Sequence, residues 1–168
     1  GRHGMIQHAR EFHEAGIPFI FDPGQGMPMY NGAELMAFIE QAQYVTVNDY
    51  EARLLEEKTG QSIEALAQKV SAFIVTRGGE GSWIYTKGSR IDIPAVKPSQ
   101  IADPTGCGDA YRAGLLYGIG EGMDWAQTGR LASLVGSIKI ASRGGQNHHF
   151  TREDIARQYK EAFGDAIW

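Results

Sequence analysis

A chain of 168 residues, 42% apolar and 21% charged, predicts an ordinary soluble globular protein with room for a sizeable core. Its formal net charge of −4 excludes the basic footprint of a nucleic-acid binder, so any phosphate it holds is held by local geometry. Cys107 is the single cysteine, which rules out an internal disulfide and suits the reducing cytoplasm, and no apolar run approaches the roughly 20 residues of a membrane span. The expected partner is a small molecule, not nucleic acid or a membrane.

The chain opens Gly1-Arg2-His3-Gly4 and enters a helical pattern at once, with Met5, Ala9, Phe12 and His13 recurring near helical spacing until Gly16. Ile17-Pro18-Phe19-Ile20-Phe21 reads as a short strand closed by the turn Asp22-Pro23-Gly24. A helix-strand unit met in mid-stride predicts that these residues are the C-terminal portion of a longer protein. After a turn over 22–29, the pattern predicts a helix over 33–41, a strand over 44–47, a helix over 51–58 stopped near Gly60, a helix over 62–70 and a strand over 72–76. Gly78, Gly79 and Gly81 then break the pattern. Residues 83–85 and 90–93 pair as a hairpin across Lys87-Gly88. Three helices complete the chain, one after Cys107, one from Asp124 to about 141, and one from Arg152 to Phe163. Strands alternating with helices predict an α/β domain with a parallel sheet covered on both faces, and the absence of a low-complexity linker predicts a single domain over 1–168. Ligands of such sheets bind at the carboxyl ends of the strands. Asp22, Asn48, Thr76 and the turn at Asp103 each follow a strand or an apolar approach, so parallel strands would bring all four to one edge.

The run Asp103-Pro104-Thr105-Gly106-Cys107-Gly108-Asp109-Ala110 carries the most chemistry. Glycines at a helix start let backbone N–H groups converge, and the helix dipole adds partial positive charge there. Such a spot holds phosphate, or the charge that develops as a phosphoryl group moves. Asp109 falls at the lip of that spot, where it can accept a proton from an attacking hydroxyl. The plainer reading is a good turn followed by a first-turn acid, which is favourable by about 0.3–1 kcal/mol without any catalysis. Asn48-Asp49-Tyr50-Glu51 has the spacing of a capping box, worth about 1 kcal/mol. Thr76-Arg77-Gly78-Gly79-Glu80-Gly81 ends a strand in glycines that allow close approach to a ligand, or form a plain turn. Arg112 follows Asp109 at a helical step of three and can meet either a phosphate or an acidic neighbour. Ser142-Arg143-Gly144-Gly145-Gln146 reads equally as a helix stop. His3, His8, His13, His148 and His149 lack metal-ligand spacing.

The stretch from Asp103 to Leu116 resembles the second signature of the PfkB carbohydrate kinases, the ribokinase-like family. Asn48 with Glu51 resembles the family's N-x-x-E motif, and Thr76, Gly78 and Gly81 are in register with its T-x-G-x-x-G segment. The resemblance spans essentially the whole chain, in order, and is similar in detail to the bacterial adenosine kinases of the family. It implies a three-layer ribokinase-like fold with a mainly parallel sheet flanked by helices. It also implies transfer of the γ-phosphoryl of ATP to an alcohol, the 5′-hydroxyl of adenosine, with a sugar kinase of the ribokinase or fructokinase type, or a non-catalytic nucleotide-binding module, as alternatives. By the same resemblance Asp109 is the catalytic base, Gly106, Cys107 and Gly108 form the anion hole, and Thr76, Gly78, Gly81, Thr105 and Arg112 face the nucleotide. Asn48 and Glu51 would hold Mg²⁺ through water, Gly144 and Gly145 lie beside the adenine, and Asp103 would serve a monovalent cation such as K⁺. Cys107 departs from the smaller residue usual at its place. Family members also carry an N-terminal half with most acceptor-binding residues and a small β lid, to which nothing here corresponds. Little turnover is therefore expected of these residues alone, and a homodimer stays open.

Overall fold

The opening periodicity becomes helix α1 (Arg2–Glu14), which turns off before Gly16. The computed structural model describes residues 2–16, 19–96, 107–141 and 151–168, with residues 2, 3, 25, 107–109 and 138–141 described by their backbone alone. Strand β1 (Ile20–Phe21) is shorter than the predicted 17–21 run, of which residues 17 and 18 lie outside the described residues. The predicted turn over 22–29 contains a 3₁₀ helix, Gly24–Met29. Helix α2 (Gly32–Gln41), strand β2 (Tyr44–Asn48) and helix α3 (Asp49–Thr59) follow as expected. Helix α4 (Ile63–Ala67) stops short of the predicted 62–70 span. Its exit tightens into i→i+3 bonds, from Gln68 N to Ala65 O at 3.3 Å and from Lys69 N to Leu66 O at 3.1 Å. Strand β3 (Ala72–Thr76) is buried up to its last residue, as an apolar strand inside a sheet must be.

Strands β4 (Ser82–Thr86) and β5 (Ser89–Ile93) complete a sheet of order β1-β2-β3-β4-β5. β1 pairs with β2 in parallel, and β2 with β3 in parallel. The two-residue Lys87-Gly88 turn makes β4 and β5 a hairpin, since so short a link cannot join parallel strands. The sheet is therefore mixed, three parallel strands with a hairpin added.

The chain divides into two compact units. Gly1–Gly78 with Trp83–Ile91 make the first, and Gly79–Ser82 with Asp92–Trp168 the second. In the first, Phe21, Val45, Val47, Phe73 and Val75 from the strands bury against Leu35, Phe38 and Ile39 of α2, Leu55 of α3 and Leu66 of α4. Phe21 and Phe38 stack with centroids 4.6 Å apart, and Tyr30 meets Phe38 edge-on at 5.1 Å.

The second unit contains α5 (Cys107–Gly120), α6 (Trp125–Ala141) and α7 (Arg152–Phe163). α5 and α6 pack at glycine-close range. A Cβ on Gly114 would lie 2.8 Å from Ala132 Cα, and one on Gly118 would lie 2.6 Å from Thr128 Oγ1. Leu131, Leu134, Tyr159 and Ile167 form the core of this unit. Among the described residues, no helix is long and apolar enough to cross a membrane.

Candidate active site

Three adjacent strand ends build the described part of the site. β1, β2 and β3 run parallel, so Asp22, Asn48 and Thr76 stand at carboxyl ends on one sheet edge, and Asn48 is the register partner of Thr76. Parallel sheets bind ligands at this edge. The sequence placed a fourth loop there, the turn at Asp103, which lies outside the described residues.

Asn48 ends β2 and caps α3 in one residue. Its Oδ1 accepts from Glu51 N at 2.7 Å, and its own N donates to Glu51 Oε1 at 2.8 Å. The capping-box reading of this motif is therefore correct as geometry. The same box recurs at Asn31 and Glu34, with bonds of 2.8 and 2.9 Å, in the same N-x-x-E spelling. Asn31 follows a 3₁₀ helix, whereas Asn48 ends a strand beside Thr76, so position distinguishes the two and the motif does not. At Asn48, the eleven-residue α3 also points its N-terminal partial positive charge at the sheet edge.

The Thr76 hydroxyl donates to Val47 O over 3.4 Å. Beyond it, Gly78 and Gly79 are exposed, and a Cβ at either would find no heavy atom within 4 Å. Ligand could approach this backbone closely. Gly81 differs. It is buried with φ +93°, and a Cβ there would come 2.1 Å from Ile93 O. Packing alone requires glycine at that position. Between these residues, the Arg77 guanidinium lies 4.1 Å from the Trp83 ring centroid and that of Arg90 lies 4.6 Å from it, a cationic stack beside the glycines.

In the second unit, α5 begins at Cys107, so Cys107, Gly108 and Asp109 form its first turn and Gly106 immediately precedes it. The motif thus meets a helix N-terminus, the geometry that an anion hole requires. The side chains of Cys107 and Asp109, and all of Asp103, Thr105, Gly106, Gly144 and Gly145, lie outside the described residues. Arg112, one turn into α5, is half-buried and engaged in an interaction of its own.

Sequence reasoning missed one link. The Tyr111 hydroxyl donates to Ser82 Oγ at 3.0 Å across 29 residues of chain. Burial pushes the Tyr111 phenol up to about 12, despite the opposing pull of the Ser82 bond. Each partner adjoins a recognised motif, yet no spacing rule connects them.

The described residues therefore form two sets. The first unit brings Asn48, Glu51 and Thr76 together at the edge that ends in Gly78; the second holds Gly81 and the start of α5. Among the described residues, no group of three or more His, Cys, Asp or Glu side chains is placed to hold a metal. Asn48 and Glu51 offer hard oxygen donors that are few and partly committed to the cap, which suits a hydrated Mg²⁺ held through water.

Residues 5–151 match the pfkB family carbohydrate kinases. The solved nucleoside kinase of Burkholderia thailandensis, in complex with inosine, is 52% identical, with a TM-score of 0.92 over 99% of this chain and 54% of its own. The nucleoside kinase of Methanocaldococcus jannaschii is 33% identical over 84% of this chain and 47% of its own length. The ribokinase of Bacillus subtilis is 30% identical over 85% of this chain and 46% of its own. The chain spans about half the length of the curated relatives it matches.

Proposed function

From the premise that the chain belongs to the pfkB family carbohydrate kinases and has a ribokinase-like fold, we propose that it forms the nucleotide-binding and catalytic part of a nucleoside kinase. The proposed reaction moves the γ-phosphoryl of ATP to the 5′-hydroxyl of a purine nucleoside, adenosine first and inosine beside it. One observation carries the nucleoside over the sugar: a relative with 52% identity across nearly this entire chain is a nucleoside kinase bound to inosine. The ribokinase likeness, at 30% identity, keeps a sugar acceptor as the second reading.

In the proposed step, the nucleoside hydroxyl oxygen attacks the γ-phosphorus and its proton passes to the Asp109 carboxylate. The bond from the γ-phosphorus to the bridging oxygen breaks, and ADP leaves with that electron pair. Backbone amides of Gly106, Cys107 and Gly108 face the developing charge, and the α5 dipole adds to their effect. Thr76 and Gly78 accept the nucleotide, Gly81 holds the end of that segment in place, and Thr105 and Arg112 stand on the phosphate side. Mg²⁺, held by Asn48 and Glu51 through water, would offset triphosphate charge. Gly144 and Gly145 would flank the adenine, with K⁺ near Asp103.

The test is Asp109→Asn in the full-length protein. The expected result is a kcat lowered by about 10²–10⁴ with the KM for ATP nearly unchanged, the signature of a group needed in the transition state. An unchanged kcat would remove Asp109 as the base.

A further inference from the structure

We propose that the Tyr111–Ser82 hydrogen bond is a positioning device, which locks the first turn of α5 to the glycine segment ending at Gly81 so that anion hole and nucleotide loop keep one spacing. This rests on the nucleoside-kinase reading.

Tyr111 stands two residues after Asp109 on α5, and Ser82 directly follows Gly81. The bond between them, 3.0 Å long, therefore joins α5 just after Asp109 to the residue that follows Gly81, and both partners belong to the second compact unit. Both ends are anchored. Gly81 packs closely on the backbone at the end of β5, where a Cβ would lie 2.1 Å from Ile93 O and 3.1 Å from Ala95 N. Ser82 is itself 1% exposed. On the helix, Gly114 and Gly118 seat α5 against Ala132 and Thr128, one and two turns beyond Tyr111. Those contacts fix the body of the helix, and Tyr111 ties its leading turn to the loop.

The phenol suits this work. A phenol is protonated across the physiological range in any case, and burial pushes the Tyr111 pKa higher still, so it stays a donor. A phenylalanine would fill nearly the same space but leave the buried Ser82 oxygen without this donor. Amide donors and a base act on the reaction only when held within a fraction of an ångström, and a displacement of about 1 Å can cost about 10²-fold in rate. Loosening the first turn should accordingly lower turnover more than nucleotide affinity. Tyr111 touches neither substrate in this account; it acts through the position of its neighbours.

The test compares Tyr111→Phe, Ser82→Ala and the double variant in the full-length protein, by steady-state kinetics well below each melting temperature. Each single variant is expected to lower kcat about tenfold with the KM for ATP changed less than about twofold, and the double variant to lose no more than either single, because one bond is removed in all three. A kcat within about twofold of wild type in the folded variants, or losses that multiply in the double, would overturn the proposal while leaving the kinase reading intact. If Tyr111→Phe fails to fold, Ser82→Ala decides. If the wild type phosphorylates no nucleoside, the parent reading has failed, and amide hydrogen exchange then judges the lock by itself. Faster exchange over residues 111–116, whose amides are bonded within α5, in Ser82→Ala supports a tie between Ser82 and the helix, and unchanged exchange there rejects it.

Discussion

Asn48 has two demands on one amide, capping α3 and standing beside Thr76 at the sheet edge. Asn31 has the first demand without the second, with the same reciprocal bonds to Glu34. Nature thus supplies the control. Asn31→Ala and Asn48→Ala are each expected to cost about 1 kcal/mol of stability by urea denaturation, the typical loss of a cap. Only Asn48→Ala is expected to lower kcat/KM as well, beyond what its lost stability explains. Equal and unaltered activity in both would reduce the N-x-x-E motif here to a cap. At this scale, sequence spacing reached the cap at Asn48 and Glu51 because both partners lie within one helical turn. It could not reach Tyr111 and Ser82, whose meeting depends on how α5 lies against the first residue of β4, 29 residues earlier.

Elements with strong periodicity were legible, and irregular ones were not. The predicted span of α7 coincides with its observed bounds, where the structure shows Thr151 and Asp154 closing a capping box and Gly164 ending the helix in the left-handed region. The 3₁₀ helix over Gly24–Met29 has no such signal, since it is held from a distance. Lys58, near the end of α3, donates through Nζ to the carbonyls of Met27, Pro28 and Tyr30 at 3.3, 3.1 and 2.6 Å. The clamp matters to the site, because this segment leads away from Asp22 at the carboxyl end of β1. Lys58→Met keeps much of the stem and deletes the charged donor that joins the three carbonyls. The expected cost is about 1–3 kcal/mol in chemical denaturation. A loss below about 0.5 kcal/mol would show that water replaces the ammonium without penalty.

At the scale of the molecule, the order of strands and helices carried most of the fold. Alternation predicted a parallel sheet that brings four sites to one edge; Asp22, Asn48 and Thr76 stand at the carboxyl ends of adjacent parallel strands, and the turn at Asp103 lies outside the described residues. The glycines of α5 were harder to read. Gly114 and Gly118 sit inside a helix where glycine is costly, and their reason appears only in the close approach of α6. Acceptor identity was the least legible feature, because the residues that match family motifs are the ones proposed to serve phosphate and nucleotide, and nucleoside and sugar kinases share that task. The most direct measurement is therefore kcat/KM of the full-length protein with ATP and each of adenosine, inosine, ribose and fructose, following the phosphorylated product. The account predicts that a purine nucleoside is phosphorylated at its 5′-hydroxyl at least about 10²-fold more efficiently than either sugar, as expected when a site's buried polar groups need the missing base. A sugar preferred over both nucleosides, or ATP consumed with none of the four phosphorylated, would contradict it.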